Sequence, residues 1–419
     1  MIYRTIPPLA IFLGGCLLLL TSCKKADPEP EPVSNQVNLG AVLALSGIYS
    51  EEGLASKASL ELAIQDLNQH YTQAGSPTRF TCSYLDSEMD TTLARQAVES
   101  FCSQGIRLLA GGPNTSAELG AIRNYVDSHG MLDLNCFSTA PSLAIPGDNI
   151  FRLIPDDNVQ GQALARMMQY DTIEALVPVW LNDTYGTGLA QTVREKFTLT
   201  GKVVMPGVEY DPGSVDFNSV MTAAALQVNE AVALYGHSHV AVLLISFQDA
   251  ADFFVAAAAI TDMNLVKWYG CDANSQKTQV INNTIAASFA EKVRFLAPVM
   301  AIGTATATPE PARNLSNRIF AKTGLQPDDM ALSAYDAVMI LGQCYNLTRS
   351  ADPARIKAIL PEVCSAYNYL GINRSLNEAG DLLGSNFIFW TVRSLAGGRS
   401  WDSYATWISE GDYILFPGY

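Results

Sequence analysis

Histidine is scarce in this chain, four residues in 419, and no cysteine pair stands beside any of them at metal-ligand spacing. A metal centre needs several convergent ligands. His237-Ser238-His239 reads instead as a polar turn ahead of an apolar run, and His70 and His129 stand alone. The signatures of nucleophilic and phosphoryl chemistry are missing too: there is no GxSxG elbow, no HExxH and no GxxxxGK[ST] loop. Gly186 and Gly188 begin like a dinucleotide fingerprint, but Gln191 stands where its last glycine belongs. A hydrolase on a doubly wound sheet is therefore a remote alternative, and no catalytic residue, metal or cofactor is expected. Charge is sparse at 16% of residues and its balance is −15, which argues against nucleic acid or anionic lipid as a partner. With 48% hydrophobic residues, the chain is globular rather than disordered. After the first twenty residues no apolar run approaches the ~20 residues a membrane helix requires.

The beginning of the chain decides the compartment. Arg4 is followed by a short apolar run, Leu9 to Leu20, of the kind found in secretory signals. Leu20-Thr21-Ser22-Cys23 has the form of a bacterial lipobox, which implies a signal peptide over residues 1–22, cleavage before Cys23, and acylation of that cysteine. Residues 23–35 then form a lipidated tether, because alternating Pro and Glu (Lys24 to Val33) favours a solvated, extended chain. The expected location is the cell envelope, as a periplasmic or outer-membrane lipoprotein.

Of eight cysteines, Cys16 falls in the leader and Cys23 in the lipobox. Disulfides persist in exported chains, and two pairings are geometrically sensible: Cys82 on a strand with Cys102 on the following helix, and Cys344 with Cys364 on successive helices. Under those pairings Cys136 and Cys271 would be free and buried, but six cysteines allow 15 pairings and the sequence does not choose among them.

The remainder exceeds what one hydrophobic core serves, so two lobes are expected. Strand and helix patterns alternate. Val37 to Leu45, Phe80 to Leu85, Ile106 to Ala110, Leu132 to Leu134 and Ile150 to Leu153 read as strands, separated by helical spacing at Ser56–Asn68, Thr91–Cys102 and Ser116–Ser128. The rhythm restarts with strands Ala175–Trp180, Lys202–Val208, Val240–Phe247 and Val266–Tyr269 around helices Gly188–Phe197, Phe217–Val228 and Asp249–Thr261. This is the pattern of parallel sheets wrapped by helices. In such sheets ligands bind beyond the carboxyl ends of the strands.

Several motifs then resemble the type I periplasmic solute-binding proteins, the branched-chain amino-acid-binding group that supplies substrate to ABC transporters. Leu43-Ala44-Leu45-Ser46-Gly47 with Gly53 resembles that family's first strand and loop, and Phe151 to Asp157 with Gln160-Gly161 its crossover between lobes. Asp183-Thr184-Tyr185-Gly186-Thr187-Gly188-Leu189 resembles its YGxGL turn, Gly213 to Phe217 the turn before the next helix, and Arg374 to Asp381 a late hairpin. The resemblance implies an α/β fold of two Rossmann-like lobes joined by three crossing strands. Lobe one would be residues 36–154 plus 297–368, and lobe two residues 155–296 plus 369–419.

The resemblance also implies a site. Ser116 takes the place of a ligand-contacting serine at a helix start, where free N–H groups suit a carboxylate; an ordinary N-cap is its structural alternative. Ser138 and Thr139 fit the position of ligand-holding backbone and hydroxyl groups, with Phe137 replacing a small residue, so branched-chain specificity is not carried over. Tyr185 stands where the family places a ring over the ligand, and Asp272 where it places the acid that pairs with the ammonium. Phe247, with Gln248 and Asp249, is a secondary candidate, and Glu52 and Ser50 follow. The expected function is capture of a small polar ligand, an amino acid or analogue, in an interlobe cleft for ABC-type uptake. A ligand-sensing receptor lipoprotein is the alternative, and permease subunits are the expected partners.

Overall fold

In the computed structural model, residues 36–213, 216–303 and 308–417 are described. The signal peptide, the Cys23 lipobox and the tether lie outside them, as does part of the Gly213–Phe217 turn.

Five strands build the first sheet: β1 (Gln36–Leu43), β2 (Arg79–Asp86), β3 (Leu108–Gly111), β4 (Leu132–Asn135) and β5 (Ile150–Arg152). They are all parallel, in the order β2-β1-β3-β4-β5. Helices α1 (Ser50–Gln73), α2 (Thr91–Ser103) and α3 (Ser116–Ser128) connect the first four strands. Leu39 and Leu43 of β1 join the cluster that includes α1, whereas Val42 joins the cluster of α2 and α3. This is the two-residue alternation of a strand covered on both faces.

The second lobe repeats the plan. After α4 (Asp157–Tyr170) come β6 (Ala175–Leu181), α5 (Thr184–Thr198), β7 (Val203–Val204), β8 (Val208–Tyr210), α6 (Phe217–Tyr235), β9 (Val240–Ile245), α7 (Ala250–Ala258) and β10 (Lys267–Tyr269). The order is β10-β9-β6-β7, with β8 also on β6 and all pairs parallel. All six residues of β9 are buried, as a central strand of a parallel sheet requires. Helices α8 (Thr278–Asn282) and α9 (Thr284–Lys292) lead to β11 (Ala297–Met300), and Tyr269 bridges to Leu296 just before it.

The chain then returns to the first lobe. Helices α10 (Glu310–Thr323) and α11 (Asp329–Thr348) pack on α1, and α12 (Pro353–Ala366) packs on α11. A final passage brings β12 (Phe387–Leu395), β13 (Gly398–Ile408) and β14 (Tyr413–Leu415), an antiparallel ribbon whose first strand pairs with β11. β11 thus belongs to this ribbon, and the chain leaves it after Met300 on the way to α10.

The crossings are stapled by two buried ion pairs. Arg152 donates from Nε and Nη2 to Asp381 at 2.5 and 2.6 Å, and from Nη1 to the carbonyls of Ser138 and Ala140. Arg374 donates to Asp336 at 2.7 Å, to Ser333 and to the carbonyl of Leu153.

Carboxylates and amides cap the helices. Asp90, Asp156, Asp183, Asp328 and Asp352 accept backbone N–H bonds at the starts of α2, α4, α5, α11 and α12, and Asn283 does so at α9. Two glycines set the strand-to-helix junctions. A Cβ at Gly53 would lie 1.8 Å from the carbonyl oxygen of Ala44, and one at Gly186 2.1 Å from that of Leu181. The glycines of two resembling motifs therefore let α1 and α5 start hard against the strand ends of their own lobes.

All six described cysteines are free thiols. The expected bridge from Cys82 to Cys102 is not made, because the sheet separates them: Cys82 packs with the α1 face and Cys102 with the α2–α3 face. Cys344 and Cys364 are neighbours on α11 and α12 but are likewise unbonded. His237 pairs with Asp262 at 3.0 Å, and His239 meets the carbonyl of Thr172, so that turn is held by protein partners.

Candidate ligand-binding site

The carboxyl ends of both sheets face one another across a cavity. Its walls are Tyr49 after β1, Asn114 to Ser116 after β3, Phe137 and Thr139 after β4, Tyr185 after β6, Phe247 after β9, and Asp272-Ala273 after β10, with Met330 at the start of α11. The free volume is about 20 Å³, room for about one water, so the lobes stand closed.

On the first-lobe wall, Thr115 is the N-cap of α3 and accepts from the N–H of Glu118. Ser116 is thus not the cap but the first helical residue. Its Oγ accepts from the N–H groups of Thr139 at 3.2 Å and Ala140 at 3.1 Å, which ties the helix start to the loop after β4. The Ser116 hydroxyl hydrogen remains for a further acceptor. Ser138 turns inward, its Oγ donating to the carbonyl of Thr115, and does not line the cavity.

Opposite stands Asp272, whose Oδ1 accepts from the Tyr185 hydroxyl at 2.5 Å and from the N–H of Ala273 at 2.9 Å. Burial pushes its carboxyl above the ordinary value, against the lowering pull of Tyr185. Behind it lies Asp157, pushed well above its ordinary value by burial first and by the Asp272 charge second. Gln160 links the two, donating to Asp157 and accepting from the Asp272 N–H. Tyr185 is in the first turn of α5 rather than in a free turn. Its ring lies 5.6 Å from that of Phe247, which meets Tyr49 edge-on at 5.5 Å.

Beside the cavity an ion pair joins the lobes. Glu52 of α1 is hydrogen-bonded to Lys277 and accepts from Gln248 at 2.9 Å, all three being buried. Burial lowers the Lys277 affinity for its proton, but Glu52 and Asp328 overcompensate and hold it above the ordinary value. Lys277 also sits 5.2 Å from the centre of the Tyr49 ring. Glu52 and Gln248, secondary candidates on the sequence, are thus brought together as a clasp; Asp249 instead accepts from Tyr210 and caps the turn at Phe247.

The structure therefore gathers Ser116, Phe137, Thr139, Tyr185, Phe247 and Asp272 around one cavity and leaves Ser138 behind it. Sequence reasoning passed over Tyr49, Asn114, Met330, Asp157 and Lys277. Tyr49 was accessible in principle, since it lies in the loop between the quoted Ser46-Gly47 and Gly53. Met330 and Lys277 carry no local signal.

Two parallel-sheet lobes are thus crossed three times by the chain and meet at a cavity at their strand ends. The periplasmic binding protein family model matches residues 36–380, and the chain belongs to that family. That family implies an extracytoplasmic setting. Among the described residues no helix is long and apolar enough to cross a membrane. An uncharacterized protein of Methanocaldococcus jannaschii is 24% identical over 342 residues, 79% of this chain and 77% of its own length. Among solved structures, a leucine binding protein from Thermotoga maritima superposes with a TM-score of 0.71 at 18% identity, covering 91% of this chain and 99% of that one. The branched-chain amino acid transporter substrate-binding protein of Streptococcus pneumoniae, in complex with isoleucine, gives 0.72 at 17% identity over 91% and 100%. A type 1 periplasmic binding protein of Bordetella pertussis gives 0.74 at 15% identity over 88% and 100%. At these identities the likeness is one of fold.

Proposed function

We propose that the protein captures a free amino acid, or a compound with the same ammonium and carboxylate, between its lobes and delivers it to an ABC-type permease. The observation that carries this reading is the pairing of opposite electrostatics across one cavity. On one side is the start of α3, with Ser116 and the loop of Thr139. On the other is the buried carboxyl of Asp272, with Asp157 behind it.

A carboxylate is favoured at a helix N-terminus by free N–H groups and the helix dipole. An ammonium beside the hydrogen-bonded Tyr185 and Asp272 would pair with this buried carboxyl through charge-assisted hydrogen bonds. Ser116, Thr139, Tyr185 and Asp272 would make the polar contacts, with Phe137 and Phe247 packing the ligand's body. Solved relatives of the same fold are described as binding leucine and isoleucine, which supports the amino-acid class, while Phe137 on the cavity wall argues for a different member of it. Cys23 would carry the lipid anchor.

A thermal-shift screen of the purified protein against the amino acids tests the ligand. A ligand at a hundredfold excess over its Kd stabilises the fold by about 2.7 kcal/mol, and Asp272→Ala should abolish the shift. Shifts only from neutral or purely anionic compounds, or an unaffected Asp272→Ala variant, would sink the zwitterion reading. The mass of the mature N-terminal peptide tests the anchor, since an unacylated Cys23 excludes it.

A further inference from the structure

The loop between β3 and α3 leaves one polar group of the cavity wall unused. Asn114 is 3% exposed and lines the cavity. Its carboxamide orientation is fixed, because Oδ1 accepts from the backbone N–H of Ala44 at 2.8 Å, and a flipped amide would set a donor against a donor. The amide nitrogen Nδ2 is then buried without any partner. Native proteins rarely leave a buried donor unpaired without reason.

The neighbouring polar groups of the loop are engaged. Thr115 Oγ1 donates to Glu118 at 2.6 Å, and Ser116 Oγ accepts from two backbone N–H groups. Other buried polar atoms without partners, Asp157 Oδ2 and Gln248 Oε1, belong to residues that do not line the cavity. The cavity wall also includes Tyr49, Phe137, Phe247 and Met330, which offer an aliphatic side chain packing surface, and none of them is hydrogen-bonded to Nδ2.

We propose that Asn114 is a specificity-determining donor, and that the ligand is an amino acid whose short side chain carries a hydrogen-bond acceptor. This rests on the amino-acid reading above and adds a third polar point to it. The α3 start takes the carboxylate, Asp272 takes the ammonium, and Asn114 Nδ2 donates to a side-chain hydroxyl or carbonyl oxygen. An aliphatic side chain of the same shape leaves Nδ2 unpaired in a dry site, and sites built to donate to a substrate oxygen reject the analogue that lacks it. Serine, threonine and asparagine are the natural candidates, since each carries an acceptor oxygen close to the α-carbon.

Isothermal titration of the full-length protein in mild detergent separates the possibilities, with threonine and valine as the isosteric pair. The expected result is that threonine binds at least about tenfold tighter than valine, and that Asn114→Leu erases the preference. Asn114→Leu also removes the acceptor of the Ala44 N–H, so a second variant covers the case in which it fails to fold. Asn114→Asp keeps an oxygen for Ala44 but replaces the donor by an acceptor. In that variant O-methylserine, which accepts and cannot donate, should lose its advantage over norvaline, which has a methylene in place of the ether oxygen. Valine binding as tightly as threonine to the unaltered protein overturns the inference and leaves the amino-acid reading standing. A threonine preference that survives Asn114→Leu, or an O-methylserine advantage that survives Asn114→Asp, removes the role from Asn114. No binding of any zwitterion overturns both readings.

Discussion

Asp133 lies on the face of β4 opposite Leu132 and Leu134, and both its carboxylate oxygens are buried without a partner. Burial pushes its carboxyl well above the ordinary value. Asp148 is beside it, and burial together with Asp127 pushes Asp148 up to about 6 from 3.8. An acid whose pKa is raised on folding stabilises the protein fully below its unfolded value and loses that contribution as the pH rises through the folded one. The Asp148 contribution is therefore present near pH 4 and gone by pH 7. Urea denaturation at pH 5 and pH 7 should show Asp148→Asn gaining stability relative to the unaltered protein at the higher pH, with the gap narrowing at the lower. A gap independent of pH would refute this. Asp148 could not have been singled out from the sequence, because nothing near it in the chain foretells burial. Asp272 and Ser116 could be, since they follow strands at the end where open sheets bind ligands. Asn114 differs again: its position after β3 was legible, but the unpaired state of its Nδ2 depends on the Ala44 N–H, supplied from another strand end.

Elements were legible where burial is one-sided or complete, as in α3 and β9, and illegible where it is neither. Helix α1 starts at Ser50, six residues before its periodic pattern, because Glu51, Glu52 and Gly53 hide the first turn; yet two of these three are buried for interlobe contact and close packing. Met205-Pro206-Gly207 splits the expected strand over 202–208 into β7 and β8. The β12–β14 ribbon escaped notice because its inward residues alternate poorly, most of β13 being half-buried on both faces. The crossing segments carry the clearest element-scale prediction. Asp381→Ala leaves Arg152 buried without its carboxylate, which should cost about 3–5 kcal/mol in denaturant unfolding. The double change Arg152→Met with Asp381→Leu removes both charges and should recover most of that. If the double variant is as unstable as the single one, the pair itself, not the orphaned charge, holds the crossing.

At the scale of the molecule, closure is held from outside the cavity as well as from within. Glu52 and Lys277 come from different lobes and are buried against each other where these meet, so separating the lobes would break the pair and expose both groups to water. Lys277→Met leaves Glu52 facing an apolar neighbour there, and the lobes should favour the open form. Small-angle scattering should show a larger radius of gyration for the ligand-free variant, and saturating ligand should restore the compact value with affinity lowered about tenfold. Equal radii without ligand would show that the clasp follows closure rather than favouring it.

The interleaving of the lobes also imposes an order on synthesis. The face of the first sheet that carries Leu39, Leu43 and Leu134 is covered by α1 together with α11, and α11 emerges only after the whole parallel sheet of the other lobe has been made. A nascent chain halted anywhere before Thr348 therefore presents a half-roofed lobe, however complete its strands. Its first hydrophobic face must be shielded by something else during export, and the final seal comes from segments that arrive late.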